Sequence, residues 1–292
     1  MLDSKPCLAQ GFFFQMRAAS VAGRAGSRRR GCAGPRGSAQ GSLAGVRWGL
    51  SRRERRAAIL AGEAVRRGVP AMFLQIEEFL TAAEVSSVRE LARLTRFIDG
   101  RSSNPHNHTK SSLIPDPADP HAQRAGQIAL GAFQRSERAR DFVFPRRIAV
   151  PQVVRYGEGM GYGAHVDAAF MAVGQQPLRS DVSCTLFIGD PSSYGGGELV
   201  IYLGSQEVRI KGKPGEAVLY PSTTLHEVAP VTAGERLVMI TFIESQIADP
   251  ARRELLYTLN EVRALEGAKL EWGNRMRLEY VAANLQRMWA EP

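Results

Sequence analysis

The sequence predicts a mainly β fold with flanking helices, a sandwich or barrel of many short strands. Two observations carry that expectation. Short apolar or alternating runs recur at 148–156, 182–188, 198–203, 207–211, 217–220, 226–231 and 236–243, and turn-forming residues punctuate them at Asp190-Pro191, Gly195-Gly196-Gly197, Lys213-Pro214-Gly215 and Ala233-Gly234. Helical periodicity is confined to the stretches before and after this block.

Before the β block, residues 73–80 read as a strand leading to Thr81. Thr81-Ala82-Ala83-Glu84 is a capping box, and Val85, Val88, Leu91 and Leu94 continue an amphipathic helix to about residue 97. Residues 99–121 are polar and Pro-rich and carry His106, His108 and His121, for which a surface loop is expected. Ile128, Leu130 and Phe133 mark a second helix. After the β block two helices are expected, one through Leu255, Leu256, Leu259 and Val262, the other through Leu278, Val281, Leu285 and Met288.

The chain of 292 residues is 44% hydrophobic and 23% charged, a globular composition with material for a sizeable core. No run approaches the roughly 18 to 20 apolar residues of a membrane helix, so no membrane partner is expected. Cys7, Cys32 and Cys184 are odd in number and widely spaced, which argues against a disulfide framework or a thiolate metal site and fits a reducing, cytoplasmic setting. Cys184 lies between apolar neighbours and is expected to be a buried structural residue.

The net charge of +9 is concentrated at one end: residues 1–71 carry +11, leaving −2 for 72–292. Residues 1–50, rich in Gly, Ala, Ser and Arg without a hydrophobic period, are expected to be disordered, with a short basic helix in 51–67. The extension is Arg-rich and acid-poor, as an organelle transit peptide would be, but lacks the apolar core of a signal peptide. Globular patterning begins abruptly at Met72, so an extension upstream of the native start is preferred. The tail lacks interleaved aromatics, and nucleic acid is not an expected partner. The expected organisation is a basic extension over 1–71, a domain over 72–245 and a helical segment over 246–292.

The stretch that organises the chain is 156–170, with His165 and Asp167 at its centre. In a strand, residues two apart share a face, so an imidazole nitrogen and a carboxylate oxygen would converge on one point where a metal could sit. His-x-Asp is common by chance and needs context. That context is His226, at the start of a late strand. A jelly roll lays remote strands side by side, and His226 would then complete a two-His-one-carboxylate face with open metal positions, as in non-haem Fe(II) oxygenases; three ligands would equally suit a catalytic zinc. Arg236, ten residues on, could grip the free carboxylate of 2-oxoglutarate bidentately, or else be a structural arginine paired with Glu235 or Glu227. Tyr162, Phe170 and Met171 flank the metal stretch as pocket or core residues, and Glu158 as an outer partner or a solvated turn residue.

Taken together, His165-x-Asp167, His226 and Arg236 resemble the signature of the Fe(II)/2-oxoglutarate dioxygenases related to prolyl-4-hydroxylases, and more closely the bacterial PKHD-type hydroxylases. Supporting stretches are Arg179-Ser180-Asp181-Val182-Ser183, Tyr194-Gly195-Gly196-Gly197-Glu198-Leu199, Gly215-Glu216-Ala217-Val218-Leu219-Tyr220-Pro221 and Asn284-Leu285-Gln286-Arg287-Met288-Trp289. The resemblance covers about residues 72–292. It implies a double-stranded β-helix (jelly roll) core, Fe(II) held by His165, Asp167 and His226, and 2-oxoglutarate anchored by Arg236, with Tyr156 as a second hydrogen-bonding candidate. It further implies a hydroxylase that uses O2 and acts on a small molecule or protein side chain, with ascorbate (vitamin C) as a reductant for oxidised iron. Two stretches depart from the family pattern: Lys110-Ser111-Ser112 and Phe242-Ile243-Glu244-Ser245. They bear on substrate contacts rather than the iron site. The competing readings are a cupin-like metalloenzyme that does not use 2-oxoglutarate, and a non-catalytic binding barrel with a basic tail. The final helices could pack on the barrel or on a second subunit.

Overall fold

The structure, a computed structural model, describes residues 73–104 and 107–291. The basic stretch 1–71, the helix expected in 51–67, Met72 and His106 lie outside the described residues.

The chain enters through β1 (Leu74–Ile76) and α1 (Ala82–Leu94), then β2 (Phe97–Asp99), a 3-10 turn (Gly100–Ser103), β3 (Lys110–Ser111) and β4 (Leu113–Pro115). Helices α2 (Pro120–Arg135) and α3 (Glu137–Val143) precede β5 (Pro145–Ile148), β6 (Gln152–Tyr156), β7 (Gly161–His165), β8 (Phe170–Met171) and β9 (Leu178–Arg179). The β block continues through β10 (Val182–Phe187), β11 (Tyr194–Gly196), β12 (Leu199–Leu203), β13 (Gln206–Ile210), β14 (Ala217–Pro221), β15 (His226–Val228), β16 (Val231–Gly234) and β17 (Arg236–Ser245). Helices α4 (Pro250–Glu266) and α5 (Trp272–Trp289) close the chain.

Every strand pairing is antiparallel. The larger sheet runs β1-β14-β10-β17-β6-β4-β2, with β5 also on β17, and the smaller runs β13-β12-β15-β7-β3. Strands far apart in sequence are neighbours, β10 beside β17 and β7 beside β15, as a jelly roll requires. All six residues of β10 are buried because both faces of the large sheet are covered. Cys184, Leu186, Leu219, Met239 and Ile243 pack under the helices with Val88, Ala129 and Phe133. Val154, Tyr156, Phe187, Val218, Tyr220 and Val238 project the other way and meet Leu199, Ile201 and Val228 of the small sheet. Each fully buried aliphatic or aromatic side chain contributes about 1.5–3 kcal/mol. The period of two therefore sorts each central strand into a helix-side and an inter-sheet face.

The helix-start prediction holds in detail: the Thr81 side chain accepts from Glu84 N and the Glu84 carboxylate accepts from Thr81 N, at 3.2 and 2.8 Å. Other expectations are corrected. The strand expected over 73–80 stops at Ile76, because the chain turns through Glu78 with φ of 52°. The first helix ends at Leu94, and Phe97 begins β2 instead. The 99–121 stretch holds two short strands rather than being all loop. The run 148–156 is interrupted before Gln152, where Pro151 lacks the donor a ladder needs. Pro230 likewise divides 226–234 into β15 and β16. The Gly195-Gly196-Gly197 turn is in part a strand: Gly195 and Gly196 belong to β11, paired with β16.

Two glycines are required by geometry. A Cβ at Gly234, at φ of 72°, would lie 2.3 Å from the Ser193 carbonyl oxygen, and one at Gly161 would lie 2.9 Å from that of Val228. The first tightens the chain just before Arg236; the second lets β7 close on the chain leaving β15. In the tail helices the apolar residues expected from the sequence divide between a packed and an exposed face. Leu256, Tyr257, Ala282, Leu285 and Trp289 pack inward, whereas Leu255, Val262, Val281 and Met288 are exposed.

Candidate metal centre

His165 closes β7 and His226 opens β15, and the ladder sets them directly opposite each other, with ring centroids 4.3 Å apart. Asp167 lies just past the end of β7, not within a strand as expected. Its backbone N–H donates to the Ser222 carbonyl at 3.3 Å, which bends the loop back over the histidines. The carboxylate bridges them, with Oδ1 3.8 Å from His165 Nε2 and Oδ2 3.7 Å from His226 Nε2. One ligand atom from each of the three residues fits within 4.8 Å of the others, and among the described residues this is the sole such cluster of three or more His, Cys, Asp or Glu. His108 and His121 take no part in it.

The ring nitrogens away from the centre are committed. His165 Nδ1 lies 2.8 Å from the Gly163 carbonyl and His226 Nδ1 lies 2.9 Å from that of Thr224. A carbonyl only accepts, so each Nδ1 carries the proton and each Nε2 lone pair points to the centre. Burial, with the His226 ring beside it, pulls His165 below the ordinary histidine range and favours the neutral, ligating form.

Asp167 ends a chain of buried hydroxyls. Ser180 donates to Ser222 at 2.9 Å, Ser222 and Ser183 lie 2.7 Å apart, and Ser183 donates to Asp167 Oδ2 at 2.5 Å. Since Ser183 spends its proton on the carboxylate, Ser222 donates to Ser183, and the three hydroxyls point one way. The sequence reading missed these serines. For Ser183 the signal was the alternation Val182-Ser183-Cys184-Thr185-Leu186, which puts hydroxyls on one face of an otherwise apolar strand. Replacing Ser183 with Ala is expected to weaken divalent-metal affinity about 10- to 100-fold, as loss of an outer partner does. Metal titration of purified protein checks this; unchanged affinity would show that Asp167 is oriented without the relay.

Arg236 begins β17 on the inter-sheet face, opposite Tyr156 of β6. It is 1% exposed and is not paired with Glu235 or Glu227; Glu235 lies 3.4 Å from Arg155 instead. Its Nε and Nη1 have no hydrogen-bond partner among the described residues. The guanidinium carbon lies 4.9 Å from the Tyr156 ring centroid and 5.9 Å from that of Phe187. Burial pulls its pKa down, and the phenols of Tyr156 and Tyr194 oppose that. Tyr156 and Tyr220 are buried, which pushes both phenols up, and Tyr220 packs edge-on against His226 at 5.0 Å. A buried, incompletely partnered cation together with a nitrogen, nitrogen, oxygen donor set is suited to a divalent metal with an anionic chelate.

Tyr162 stacks on His165 with centroids 3.6 Å apart, so it belongs to the site wall, whereas Phe170 is 62% exposed on β8 and Glu158 is exposed in a turn. Cys184 is buried on the helix side, which raises its pKa, and is no ligand.

Comparison with known proteins places this geometry. Residues 151–244 match the 2OG-Fe(II) oxygenase superfamily. A PKHD-type hydroxylase of Sphingopyxis alaskensis is 47% identical over 205 residues, covering 70% of this chain and 94% of that one. The chain belongs to the PKHD-type hydroxylases. A second member, from Thioalkalivibrio sulfidiphilus, is 41% identical over 75% of this chain and 100% of its own length. Among solved structures, a prolyl hydroxylase from Trichoplax adhaerens is similar with a TM-score of 0.48 and 17% identity, covering 70% of this chain and 95% of that one. The enzyme is thus an Fe(II)- and 2-oxoglutarate-dependent oxygenase that uses O2 to hydroxylate its substrate, with oxidative decarboxylation of 2-oxoglutarate.

Proposed function

We propose that His165, Asp167 and His226 hold the Fe(II) and that Arg236, with Tyr156 beside it, takes the distal carboxylate of 2-oxoglutarate. The observation that carries this reading is the buried guanidinium of Arg236, two of whose nitrogens lack partners among the described residues, in a fold whose His-Asp-His cluster lies against the inter-sheet residue Tyr220. A guanidinium offers paired donors in the geometry of a carboxylate, and a charge held in a dry site gains most from an anion that arrives already charged.

The chain's own groups divide the work. The Gly163 and Thr224 carbonyls keep both imidazoles in the ligating tautomer, and Ser183 keeps Asp167 aimed at the centre. Tyr156, Tyr194 and Tyr220, all buried, exclude water from around Arg236. Fe(II) with 2-oxoglutarate supplies O2 activation, yielding succinate and carbon dioxide as the substrate is hydroxylated. Ascorbate belongs to the same reading as the reductant that returns ferric iron to Fe(II), and a reducing cytoplasm suits both Fe(II) and a free, buried Cys184.

The test is an anaerobic titration of the Fe(II)-loaded protein with 2-oxoglutarate. A weak visible charge-transfer band is expected as the keto acid chelates the metal. Bound metal without that band would favour a metalloenzyme that does not use 2-oxoglutarate.

A further inference from the structure

Next to the metal centre, β3 pairs with β7 and sets Lys110 opposite Tyr162. The Lys110 ammonium lies 5.3 Å from the Tyr162 ring centroid, and the same ring stacks at 3.6 Å on His165. Nζ donates to Ser103 Oγ at 2.6 Å, which fixes the end of a side chain that ordinarily extends into water. Burial lowers the Lys110 pKa, and the acid acting on it is Asp167. Among the described residues no carboxylate comes within 4.0 Å of Nζ.

A half-buried ammonium near a metal centre is electrostatically unfavourable unless something balances it. The formal charges of the assembled site can be summed. With both histidines neutral, the divalent iron, the dicarboxylate, Asp167, Arg236 and Lys110 add to one positive charge. That excess is available at Lys110, which lies over the ring that stacks on His165. The adjacent Tyr162 hydroxyl accepts a hydrogen bond from Asn104 Nδ2 at 3.0 Å, with the Asn107 side chain also beside it. Burial raises the phenol pKa and both of these side chains lower it, which is how donors to the oxygen act, so its own proton is left to give. An ammonium and a phenolic proton together form a two-donor cradle for one anionic group.

Resting on the iron and 2-oxoglutarate reading above, we propose that Lys110 and Tyr162 bind a carboxylate of the substrate, so that this enzyme hydroxylates an organic acid or an acid-bearing residue. A monocarboxylate matches the single charge in excess; a phosphate dianion would overshoot it. The bland alternative is a lysine that merely covers Tyr162 with its stem. That alternative predicts no discrimination between acids and their neutral analogues.

The test uses full-length protein loaded with Zn(II) and saturated with 2-oxoglutarate, so that binding is read by calorimetry without turnover. The probes are N-acetylated amino acids, each paired with its carboxamide. In at least one pair the acid is expected to bind about tenfold or more tightly than the amide. Lys110→Gln should bring the two close to equality, and Lys110→Arg should retain the preference. Titration of each variant with 2-oxoglutarate shows whether its site is assembled, and Lys110→Met, which keeps the apolar stem, is read if the Gln variant does not fold. Acid and amide binding alike in every pair, neither member binding, or a preference that survives loss of the ammonium would each overturn the proposal. Absence of 2-oxoglutarate binding to the wild-type protein would instead bring down the reading on which it rests.

Discussion

Asp167→Ala is expected to lower affinity for divalent metal by more than about 100-fold and to stop 2-oxoglutarate turnover. The carboxylate is the sole anion in the cluster and sits within 3.8 Å of both imidazoles, so on the proposed assignment the variant leaves two neutral imidazoles with nothing to offset a divalent charge. Losing an outer partner of a ligand costs about 10- to 100-fold, and losing the ligand itself must exceed that. The fold should survive, because Asp167 lies beyond the end of β7 and its backbone bond to Ser222 does not need the side chain. Thermal unfolding with and without Mn(II) separates these effects. A metal present at 100 times its Kd stabilises the native state by about 2.7 kcal/mol, and that increment should vanish in the variant while the metal-free melting point is largely kept. An undiminished metal-dependent increment would remove Asp167 from the ligand set.

The part of this site legible in the sequence is the part set by local spacing. His165 and Asp167 are two residues apart, and whichever way the intervening chain bends, their side chains stay within reach of one metal. That Asp167 belongs to a loop was not legible, because the bend depends on a bond to Ser222, fifty-five residues away. A sandwich or barrel could be read from short strands and turns, and the jelly roll from the family resemblance, yet the pairing of His226 opposite His165 comes from long-range closure that no local pattern encodes. The breaks at Pro151 and Pro230 were legible and were overlooked: each proline removes a ladder donor inside an apolar run. The glycines of β11 misled for the opposite reason, since a Gly-rich ribbon has the composition of a turn. In α4 and α5 apolar residues occur on more than one face, so periodicity marked both residues that pack inward, Leu256, Leu259 and Leu285, and residues left to solvent, Leu255, Val262, Val281 and Met288.

What unifies the site is the parity of the large sheet. Ser183 faces Tyr220 and Tyr156 faces Arg236 in two separate strand pairings, and all four fall on the inter-sheet face, while Cys184, Leu219, Val153 and Leu237 of the same strands pack under the helices. A helix-side residue can therefore be apolar without reference to catalysis, and the inter-sheet residues can be polar wherever a ligand compensates them. The polar ones cost folding energy in the absence of that ligand.

Arg236→Leu tests that last statement through two effects of opposite sign. Affinity for 2-oxoglutarate should fall by about 100-fold or more, in line with the roughly 2–5 kcal/mol lost when one partner of a buried, hydrogen-bonded charge pair is removed. The ligand-free protein, by contrast, should be as stable as the wild type or more so. In the wild type an almost fully buried guanidinium has two nitrogens without partners, and replacing uncompensated buried charge by packed apolar atoms is neutral or favourable by about 1–4 kcal/mol. The tyrosines weaken this gain, since Leu forfeits the stacking of the guanidinium over Tyr156 and leaves space beside Phe187. Charge desolvation is the larger quantity, so the sign should hold. Urea unfolding without ligand measures one effect and calorimetric titration with 2-oxoglutarate the other. A variant that loses stability by several kcal/mol while binding 2-oxoglutarate normally would make Arg236 a structural residue. Loss of binding with stability kept or gained would mean that the fold carries this charge for its ligand.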